Sequence, residues 1–375
     1  MATSNTSALT DNLTVTPNEA RSRVLRAFKA KRPVFLWGPP GIGKSEIIAD
    51  LGTELGGLVI DLRLSQMEPT DLRGIPYPSK DEDGGSVMAW APPIELPSEA
   101  LAKQYPIVIL FLDEMNSAAP SVQAAAYQLT LGRRIGTYKL PDNVVIVAAG
   151  NRESDRGVTY RMPTPLANRF VHLEVRPDFE SWFTWAVNHN VHKDVVGYLS
   201  FAKNDLFGFD ARSASRAFNT PRTWVFASDF LKDEDATDAE LRDLISGTIG
   251  DGLALKFMAH RKVSANMPNP EDILAGRVTE LKTKEISAMY SLTISMCYEL
   301  QANHKKLGNG RMAEWHAQAD NFLKFCMSNF TTELVVMGTR VALTTYNLPM
   351  IPGKMKHFDE FSSRYAKYIT GASGK

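Results

Sequence analysis

The sequence predicts an α/β fold with a parallel sheet in its first half and a helical second half. Apolar runs that suit strands buried on both faces alternate with helical segments up to about residue 176. Beyond about Pro177 the apolar residues recur with helical periodicity only. The five predicted strands are Val34–Trp37, Leu58–Leu62, Ile107–Leu112, Val144–Ala149 and Val171–Val175.

The composition is that of a globular chain without an electrostatic bias. Its 375 residues suffice for two or three domains. Lys and Arg together number 42, as do Asp and Glu, so the formal net charge is zero. This balance argues against a general attraction to nucleic acid or to an anionic membrane. No apolar run is long enough to span a bilayer, so we expect no membrane association.

The N-terminal segment and the cysteines indicate the compartment. Residues 1–16 are rich in Ser, Thr and Asn and contain neither an apolar signal core nor a basic leader. We therefore expect a flexible tail and not a targeting peptide. The two cysteines, Cys297 and Cys326, lie in apolar stretches that suit reduced core thiols. Together these features favour a cytoplasmic protein.

A glycine-rich segment with the pattern G-x-x-x-x-G-K-S follows the first predicted strand. Its glycines let backbone N–H groups approach a phosphate, Lys44 can reach the β- and γ-phosphate oxygens, and Ser45 can bind Mg²⁺. Residues 46–55 form a predicted helix whose N-terminus favours phosphate charge. The pattern predicts a nucleoside triphosphate site. The predicted nucleotide-binding residues are Gly38, Pro39, Pro40, Gly41, Ile42, Gly43, Lys44, Ser45 and Glu46.

Polar side chains follow two further predicted strands. Asp113 and Glu114 end the third strand, and Asn151 comes shortly after the fourth. Asp113 can join Ser45 in binding Mg²⁺, while Glu114 can act as the general base toward an attacking water. Asn151 can hydrogen-bond that water or the γ-phosphate. The alternative is that these residues only form strand-ending turns, where Asp and Asn are common.

The order of these motifs resembles an AAA+ ATPase of the MoxR-type group. The glycine segment is similar to Walker A, Ile109–Glu114 to Walker B, and Asn151 to sensor 1. The stretch from Asp113 to Asn116 resembles the extended Walker B motif of this group. The resemblance covers about residues 24–276 and implies a P-loop AAA+ fold that binds ATP and Mg²⁺ and hydrolyses ATP to ADP and phosphate.

The resemblance also implies an arginine finger, which acts on the nucleotide of a neighbouring subunit. Residues 165–170 are similar to the segment that supplies it, which makes Arg169 the candidate. The group usually has an aspartate before this arginine, whereas this chain has Asn168. Arg161 and Arg156 lie nearby and could assist or replace Arg169.

Residues 220–224 are similar to the sensor 2 motif that opens a lid helix. By this resemblance Arg222 would reach the γ-phosphate, so that the catalytic candidates are Glu114, Asn151, Arg169 and Arg222. The group often has an arginine at the position of Ser117. One second intersubunit arginine would therefore be missing from this chain.

The predicted fold is a P-loop AAA+ parallel-sheet domain followed by an α-helical lid and additional C-terminal helices. The last part carries no motif that points to a contact. The predicted parts are a tail at 1–16, the AAA+ domain at 17–176 with an insert at 63–97 and a hairpin at 133–141, the lid at 177–279, and a C-terminal extension at 280–375.

The resemblance implies a homo-hexameric ring that remodels or activates a partner protein, in this group commonly one with a von Willebrand factor A domain. A nucleic-acid-directed motor or loader is the alternative, although zero net charge and the lack of a nucleic-acid module make it the less favoured one. A third hypothesis is a nucleotide-gated switch with negligible turnover, against which the presence of Glu114 and Asn151 argues.

Overall fold

The computed structural model describes residues 14–370 except 82, 137, 156–159, 161, 214, 284 and 308. The chain divides into two compact units. The sheet unit comprises the described residues of Met1–Asp178 together with Phe209–Ser213. The helical unit comprises those of Phe179–Gly208 and Ala214–Lys375. Each unit has its own hydrophobic core, so each is described by itself.

The sheet unit is built on a six-stranded parallel sheet in the order β1-β10-β2-β9-β6-β3. This order confirms the predicted parallel α/β fold. All residues of β9, and all but the last of β6, are buried, which explains their continuous apolar sequences. The strands are β1 (Thr14–Val15), β2 (Val34–Trp37), β3 (Leu58–Arg63), β6 (Val108–Asp113), β9 (Val144–Gly150) and β10 (Val171–Val175).

The end of the predicted N-terminal tail is part of the sheet. Thr14 and Val15 pair with Glu174 and Val175, and Val15 is fully buried. Thr16 then caps the first helix, because its hydroxyl accepts a hydrogen bond from the backbone N–H of Glu19. The expectation of a flexible tail is therefore wrong for residues 14–16, while residues 1–13 lie outside the described part.

Helices cover the sheet. A helix follows β2 directly, and its N-terminus lies at the carboxyl end of that strand. The helices of the sheet unit are α1 (Pro17–Lys29), α2 (Lys44–Glu54), α3 (Pro69–Arg73), α4 (Glu99–Ala102), α5 (Pro120–Gly132) and α6 (Thr164–Ala167).

Two small antiparallel ribbons interrupt the α/β alternation. In the segment expected to be an insert, β4 (Ile75–Lys80) pairs with β5 (Ser86–Ala91). In the segment expected to be a hairpin, β7 (Arg134–Ile135) pairs with β8 (Tyr138–Lys139). Gly74 begins the first ribbon with φ +82°, and a Cβ there would collide with the carbonyl of Ala91.

The helical unit contains two hydrophobic clusters. One is centred on Trp224 and Phe257 and the other on Trp315 and Phe322. No helix in the described part of the chain is both long and apolar enough to cross a membrane. The division of this unit near residue 279 stays a prediction. Its helices are α7 (Phe179–Asn188), α8 (Lys193–Phe201), α9 (Pro221–Phe230), α10 (Asp238–Ile249), α11 (Asp251–Ala265), α12 (Pro270–Leu274), α13 (Ile286–Leu307), α14 (Met312–Asn329), α15 (Thr332–Arg340) and α16 (Lys356–Thr370).

Candidate active site

The candidate site lies at the carboxyl ends of three neighbouring strands. In the sheet, β2 pairs with β9 and β9 pairs with β6, all in parallel. The glycine loop, Asn151 and the pair Asp113 and Glu114 lie at the ends of these strands. The carboxyl ends of parallel strands meet at the same sheet edge, which is where open α/β sheets bind ligands. Three motifs that are distant in the sequence therefore meet.

The loop between β2 and α2 depends on two glycines. Gly43 adopts φ +91° and begins α2 without any side-chain cap, so the first backbone N–H groups of the helix are left for a ligand. A Cβ at Gly38 would lie 2.7 Å from the carbonyl oxygen of Val175 and closer still to Ile42. Larger residues at these positions would distort the loop.

Lys44 is tied to the loop and to the neighbouring strand end. Its Nζ donates hydrogen bonds to the carbonyl oxygens of Gly38 at 2.7 Å and Pro39 at 3.1 Å. It also donates to Oδ1 of Asn151 at 3.3 Å. The ammonium group thus links the predicted phosphate loop with Asn151, and a phosphate bound at the N-terminus of α2 would compete for these hydrogen bonds.

The hydroxyl of Ser45 lies beside the carboxylate of Asp113. Ser45 Oγ donates to Asp113 Oδ2 at 2.9 Å, and the other carboxylate oxygen accepts from the backbone N–H of Glu114 at 2.8 Å. A hydroxyl oxygen and a carboxylate oxygen at this spacing are hard ligands of the kind that Mg²⁺ takes. The donor set therefore fits a Mg²⁺ ion, which would complete its shell with phosphate oxygens and water.

Glu114 has an unusual backbone conformation and a partner that the sequence did not suggest. Its φ is +54°, in the left-handed region that residues with a Cβ seldom adopt. The hydroxyl of Ser65 donates a short hydrogen bond to Glu114 Oε2. Ser65 follows β3 by two residues, and the last residue of β3, Arg63, pairs with Asp113. The sequence motifs do not suggest the contact between Ser65 and Glu114, because it depends on this strand register.

Negative charge accumulates at this sheet edge. The pKa of the Asp61 carboxyl is raised above its usual range by partial burial and, next, by the negative charge of Asp113. Glu114 adds to the effect, and Arg63 opposes it.

Asn116 is a second residue that sequence reasoning did not assign to the site. Its Nδ2 donates to the carbonyl oxygen of Asn151 at 2.7 Å, and its Oδ1 accepts from the backbone N–H of Asn151 at 3.2 Å. The side chain is 1% exposed. A Cβ at position 150 would collide with it, which requires Gly150. Asn116 therefore fixes the backbone of Asn151 relative to the turn that carries Glu114.

Arg152 follows Asn151 and is fully engaged within the chain. Its guanidinium donates to Asp155 at 2.8 Å and to Glu174 at 3.2 Å, and Asp155 is buried. Hydrogen bonding to Asp155 raises the pKa of Arg152 still further above its usual range. This arginine stabilises the chain after β9 and is not free to act on a ligand.

Arg169 lies just beyond α6 and is exposed. Its backbone N–H donates to the carbonyl of Leu166 at 3.0 Å. Within the described part of the chain, nothing forms a hydrogen bond or ion pair with its guanidinium. Arg156 and Arg161, the other arginines considered for the finger, lie outside the described residues.

Arg222 and Glu46 take up positions on helices. Arg222 is an exposed residue in the first turn of α9, which belongs to the helical unit. Thr220 caps that helix, since its hydroxyl accepts from the backbone N–H of Thr223 at 3.2 Å. Glu46 is exposed in the first turn of α2. The glycine loop, Asp113, Glu114 and Asn151 form one cluster at the carboxyl ends of the strands. Arg169 lies apart from it, just before the amino end of β10, and Arg222 belongs to the other unit.

Comparison with protein families identifies the sheet unit. Residues 34–176 match the model of the ATPase family associated with various cellular activities (AAA). This segment is an AAA ATPase domain. The match includes the glycine loop, Asp113, Glu114, Asn151 and Arg169, and it ends before Arg222.

Relatives of the AAA domain include two Midasins. The chain is 26% identical over 185 residues to Midasin of Giardia intestinalis and 27% identical over 169 residues to Midasin of Dictyostelium discoideum. These alignments cover 47% and 42% of this chain but only 4% and 3% of the two Midasins. They concern one segment of much longer proteins.

Solved structures similar to this chain include a variant of RuvB from Thermotoga maritima. It shares 17% sequence identity over 78% of this chain and 83% of that chain, with a TM-score of 0.37. A likeness this distant carries no argument about function.

Proposed function

We propose that this chain is a Mg²⁺-dependent ATPase that works as a ring and remodels a partner protein. The observation that carries the proposal is the cluster of Lys44, Ser45, Asp113, Glu114 and Asn151 at one edge of the sheet. These residues lie at or directly after the ends of three strands, and hydrogen bonds join Lys44 to Asn151 and Ser45 to Asp113. They are the groups that phosphoryl transfer from ATP to water requires.

The roles follow from the chemistry of each group. The N–H groups at the start of α2 and the ammonium of Lys44 bind the β- and γ-phosphates. Ser45 and Asp113 would hold Mg²⁺, which when bound would supply positive charge beside the phosphate oxygens. Glu114 accepts a proton from the attacking water, and Asn151 orients that water or the γ-phosphate.

In this proposal, a neighbouring subunit supplies the arginine that stabilises the transferring phosphoryl group. Arg169 is exposed, and its guanidinium forms no hydrogen bond or ion pair with another described group, unlike Arg152, which two carboxylates hold. A planar guanidinium supplied in trans can stabilise the transferring phosphoryl group. Hydrolysis then needs an oligomer, and a closed ring gives every subunit the same contact. A hexamer is the proposed number.

The exposed side chains and the charge of the insert, residues 63–97, favour a protein over a nucleic acid as the substrate. Ile75, Met88 and Ile94 are 68%, 62% and 95% exposed in or beside the ribbon of β4 and β5. Residues 63–97 contain three basic and six acidic residues, whereas a nucleic-acid contact would need an excess of positive charge. Exposed apolar side chains in an acidic segment suit an apolar protein segment, which a von Willebrand factor A domain partner could supply.

The test is the specific ATPase rate of the purified chain as a function of its concentration, with Mg²⁺ and with EDTA. The proposal expects Mg²⁺-dependent hydrolysis whose rate per chain rises with concentration. A rate per chain that stays flat would contradict the ring. Added DNA or RNA is expected to leave the rate unchanged, and a salt-sensitive stimulation would favour the nucleic-acid motor instead.

A further inference from the structure

An aromatic cluster joins the strand before the phosphate loop to the strand after the finger segment. It consists of Phe35 and Trp37 on β2 and of Phe170 and His172 at the start of β10. Phe35 and Trp37 stack at 4.1 Å, and Trp37 stacks on His172 at 6.0 Å. Phe170 meets Phe35 edge to face at 5.5 Å. The two strands are therefore joined by ring packing as well as by backbone pairing.

His172 forms two hydrogen bonds with different partners, one as acceptor and one as donor. The indole Nε1 of Trp37 donates to His172 Nδ1 at 2.9 Å. An indole can only donate, so Nδ1 is an acceptor and the proton of the neutral imidazole is on Nε2. His172 Nε2 lies 2.8 Å from the carbonyl oxygen of Ala167 and thus donates to it. One side chain binds both neighbours, one as acceptor and one as donor.

The acceptor, Ala167, is the last residue of α6. This helix has four residues and no side-chain cap, so it cannot maintain its orientation alone. Leu166 and Phe170 are buried on either side, and the backbone of Arg169 bonds to Leu166. The hydrogen bond from His172 to the carbonyl of Ala167 adds a side-chain contact between this turn and β10.

The other end of the chain of hydrogen bonds lies at the phosphate loop. Trp37 immediately precedes Gly38, whose carbonyl accepts from Lys44 at 2.7 Å. An apolar side chain at position 172 could fill the same space, but it could not form the hydrogen bonds to Trp37 and Ala167.

We propose that His172 is a positioning residue that fixes the finger segment, residues 165–170, in the orientation in which Arg169 reaches the neighbouring subunit. This role rests on the proposed function of Arg169. It is exerted on the next subunit's ATP, and it leaves binding of ATP by the subunit's own phosphate loop unchanged.

Two substitutions of His172 each remove one of its two hydrogen bonds and keep the other. In His172→Asn the side-chain oxygen can take the place of Nδ1 and accept from Trp37, but no group reaches Ala167. In His172→Gln the amide nitrogen can take the place of Nε2 and donate to Ala167, but the contact with Trp37 is lost. Trp37→Phe removes the same indole donor and keeps a ring in the stack.

The experiment asks how well each chain supplies a finger in trans. Arg169→Ala has an intact hydrolysis centre and needs a finger, and it is mixed with excess Glu114→Gln, which supplies fingers but does not hydrolyse. The ATPase rate of this mixture is then compared with mixtures in which the donor is Glu114→Gln/His172→Asn, Glu114→Gln/His172→Gln or Glu114→Gln/Trp37→Phe. Affinity for a fluorescent ATP analogue and thermal unfolding are measured for every donor.

We expect the His172→Asn donor to stimulate about tenfold less than Glu114→Gln alone, because small misplacements of a catalytic group cost this much or more. The His172→Gln and Trp37→Phe donors are expected to keep most of the stimulation, and all donors should bind the analogue alike. Equal stimulation by every donor would overturn the role of His172 while leaving the finger intact. If Glu114→Gln itself fails to stimulate, the finger is wrong and this role falls with it. A donor that also loses nucleotide affinity would mark a merely structural residue.

Discussion

Two regions of the sheet unit differ in how their polar groups are satisfied. At the carboxyl ends of β2, β6 and β9, the side chains of Lys44, Ser45 and Glu114 already have hydrogen-bond partners in the chain. Beyond α6, Arg169 is exposed, and its guanidinium forms no hydrogen bond or ion pair with another described group. In the proposed function, the first region binds the chain's own nucleotide and the second acts on that of a neighbouring subunit.

The contrast between Arg152 and Arg169 makes the same point with one residue type. Arg152 is bound by Asp155 and Glu174, so its charge is used inside the chain. Arg169 costs the chain conformational freedom only when it meets a partner. Under the proposed function, the hydrolysis centre is assembled within one subunit, and Arg169 completes catalysis in the next one. Substitutions on either side of this division should therefore have different effects.

The largest effect is expected from Glu114→Gln, which removes the general base and keeps the side-chain shape. The turnover number should fall by about 10³-fold, since a positioned base contributes roughly 10²–10⁴. The phosphate loop is untouched, so affinity for ATP should be unchanged. Single-turnover hydrolysis and equilibrium binding measure the two quantities. A variant that hydrolyses at the wild-type rate would exclude Glu114 as the base.

Arg169→Ala should lower the turnover number by about 10²-fold, because an arginine finger contributes at least that much in related chemistry. Its unfolding free energy should stay within about 0.5 kcal/mol of wild type, as for exposed residues generally. The matched control is Arg152→Ala, which leaves buried Asp155 without its main partner. We expect the control to lose about 1–3 kcal/mol of stability. Denaturant unfolding and steady-state kinetics distinguish the two; equal stability losses would contradict the contrast.

Asn116→Ala tests the part of the hydrolysis centre that the sequence did not reveal. The substitution leaves the backbone N–H and carbonyl of Asn151 without their partners, which should cost about 1–3 kcal/mol. We also expect about a tenfold lower turnover number, because Asn151 is no longer fixed. Denaturant unfolding and steady-state kinetics measure the two losses.

The control for Asn116 is Gln123→Ala. Gln123 is also buried, and its amide donates to the carbonyl of Ala118 at 3.0 Å, away from Asn151. This variant should lose similar stability and keep its turnover number within about twofold. If both variants lose activity in proportion to stability, Asn116 has no positioning role.

The smallest expected effect is on the pH dependence of stability, and it arises from two histidines of the helical unit. Burial lowers the pKa values of His192 and His260 below the usual range, and nearby Asp194 only partly opposes this. For His192, the positive charges of Arg261, Lys193 and Lys232 lower the pKa further. The unfolded chain then binds more protons than the folded chain, so stability is complete above about pH 6.5 and falls as the pH drops through the lowered values.

His192 also caps α8, because its Nδ1 accepts from the backbone N–H of Asp194 at 3.2 Å. Protonation removes that acceptor. His192→Asn keeps a good capping side chain that does not titrate. Thermal unfolding between about pH 8 and pH 5 should show a smaller loss of stability for this variant than for wild type. Parallel curves for the two proteins would contradict the assignment.

The fold was predictable largely because its central strands, β6 and β9, are buried on both faces. Five apolar runs gave the strands, and β2 with the glycine loop placed the site. β1 was not predicted, since two residues are too few to show a period. The same pattern correctly indicated a helical second half.

The contacts that complete the site depend on strand register, which cannot be read from the periodicity of apolar residues in the sequence. Ser65 reaches Glu114 because Arg63 pairs with Asp113, and His172 reaches Trp37 because His172 pairs with Phe35. These partners are 49 and 135 residues apart in the sequence. The residues that carry the chemistry could be named from motifs, but not the residues that hold them in place.

The most direct test of the division between subunits is to mix Glu114→Gln with Arg169→Ala at a constant total protein concentration. Each variant lacks one half of the catalytic machinery and supplies the other half. The account predicts that the mixture hydrolyses ATP well above the weighted sum of the separate rates, with a maximum at an intermediate ratio. A rate equal to that sum at every ratio would show that each chain hydrolyses ATP alone and would contradict the account.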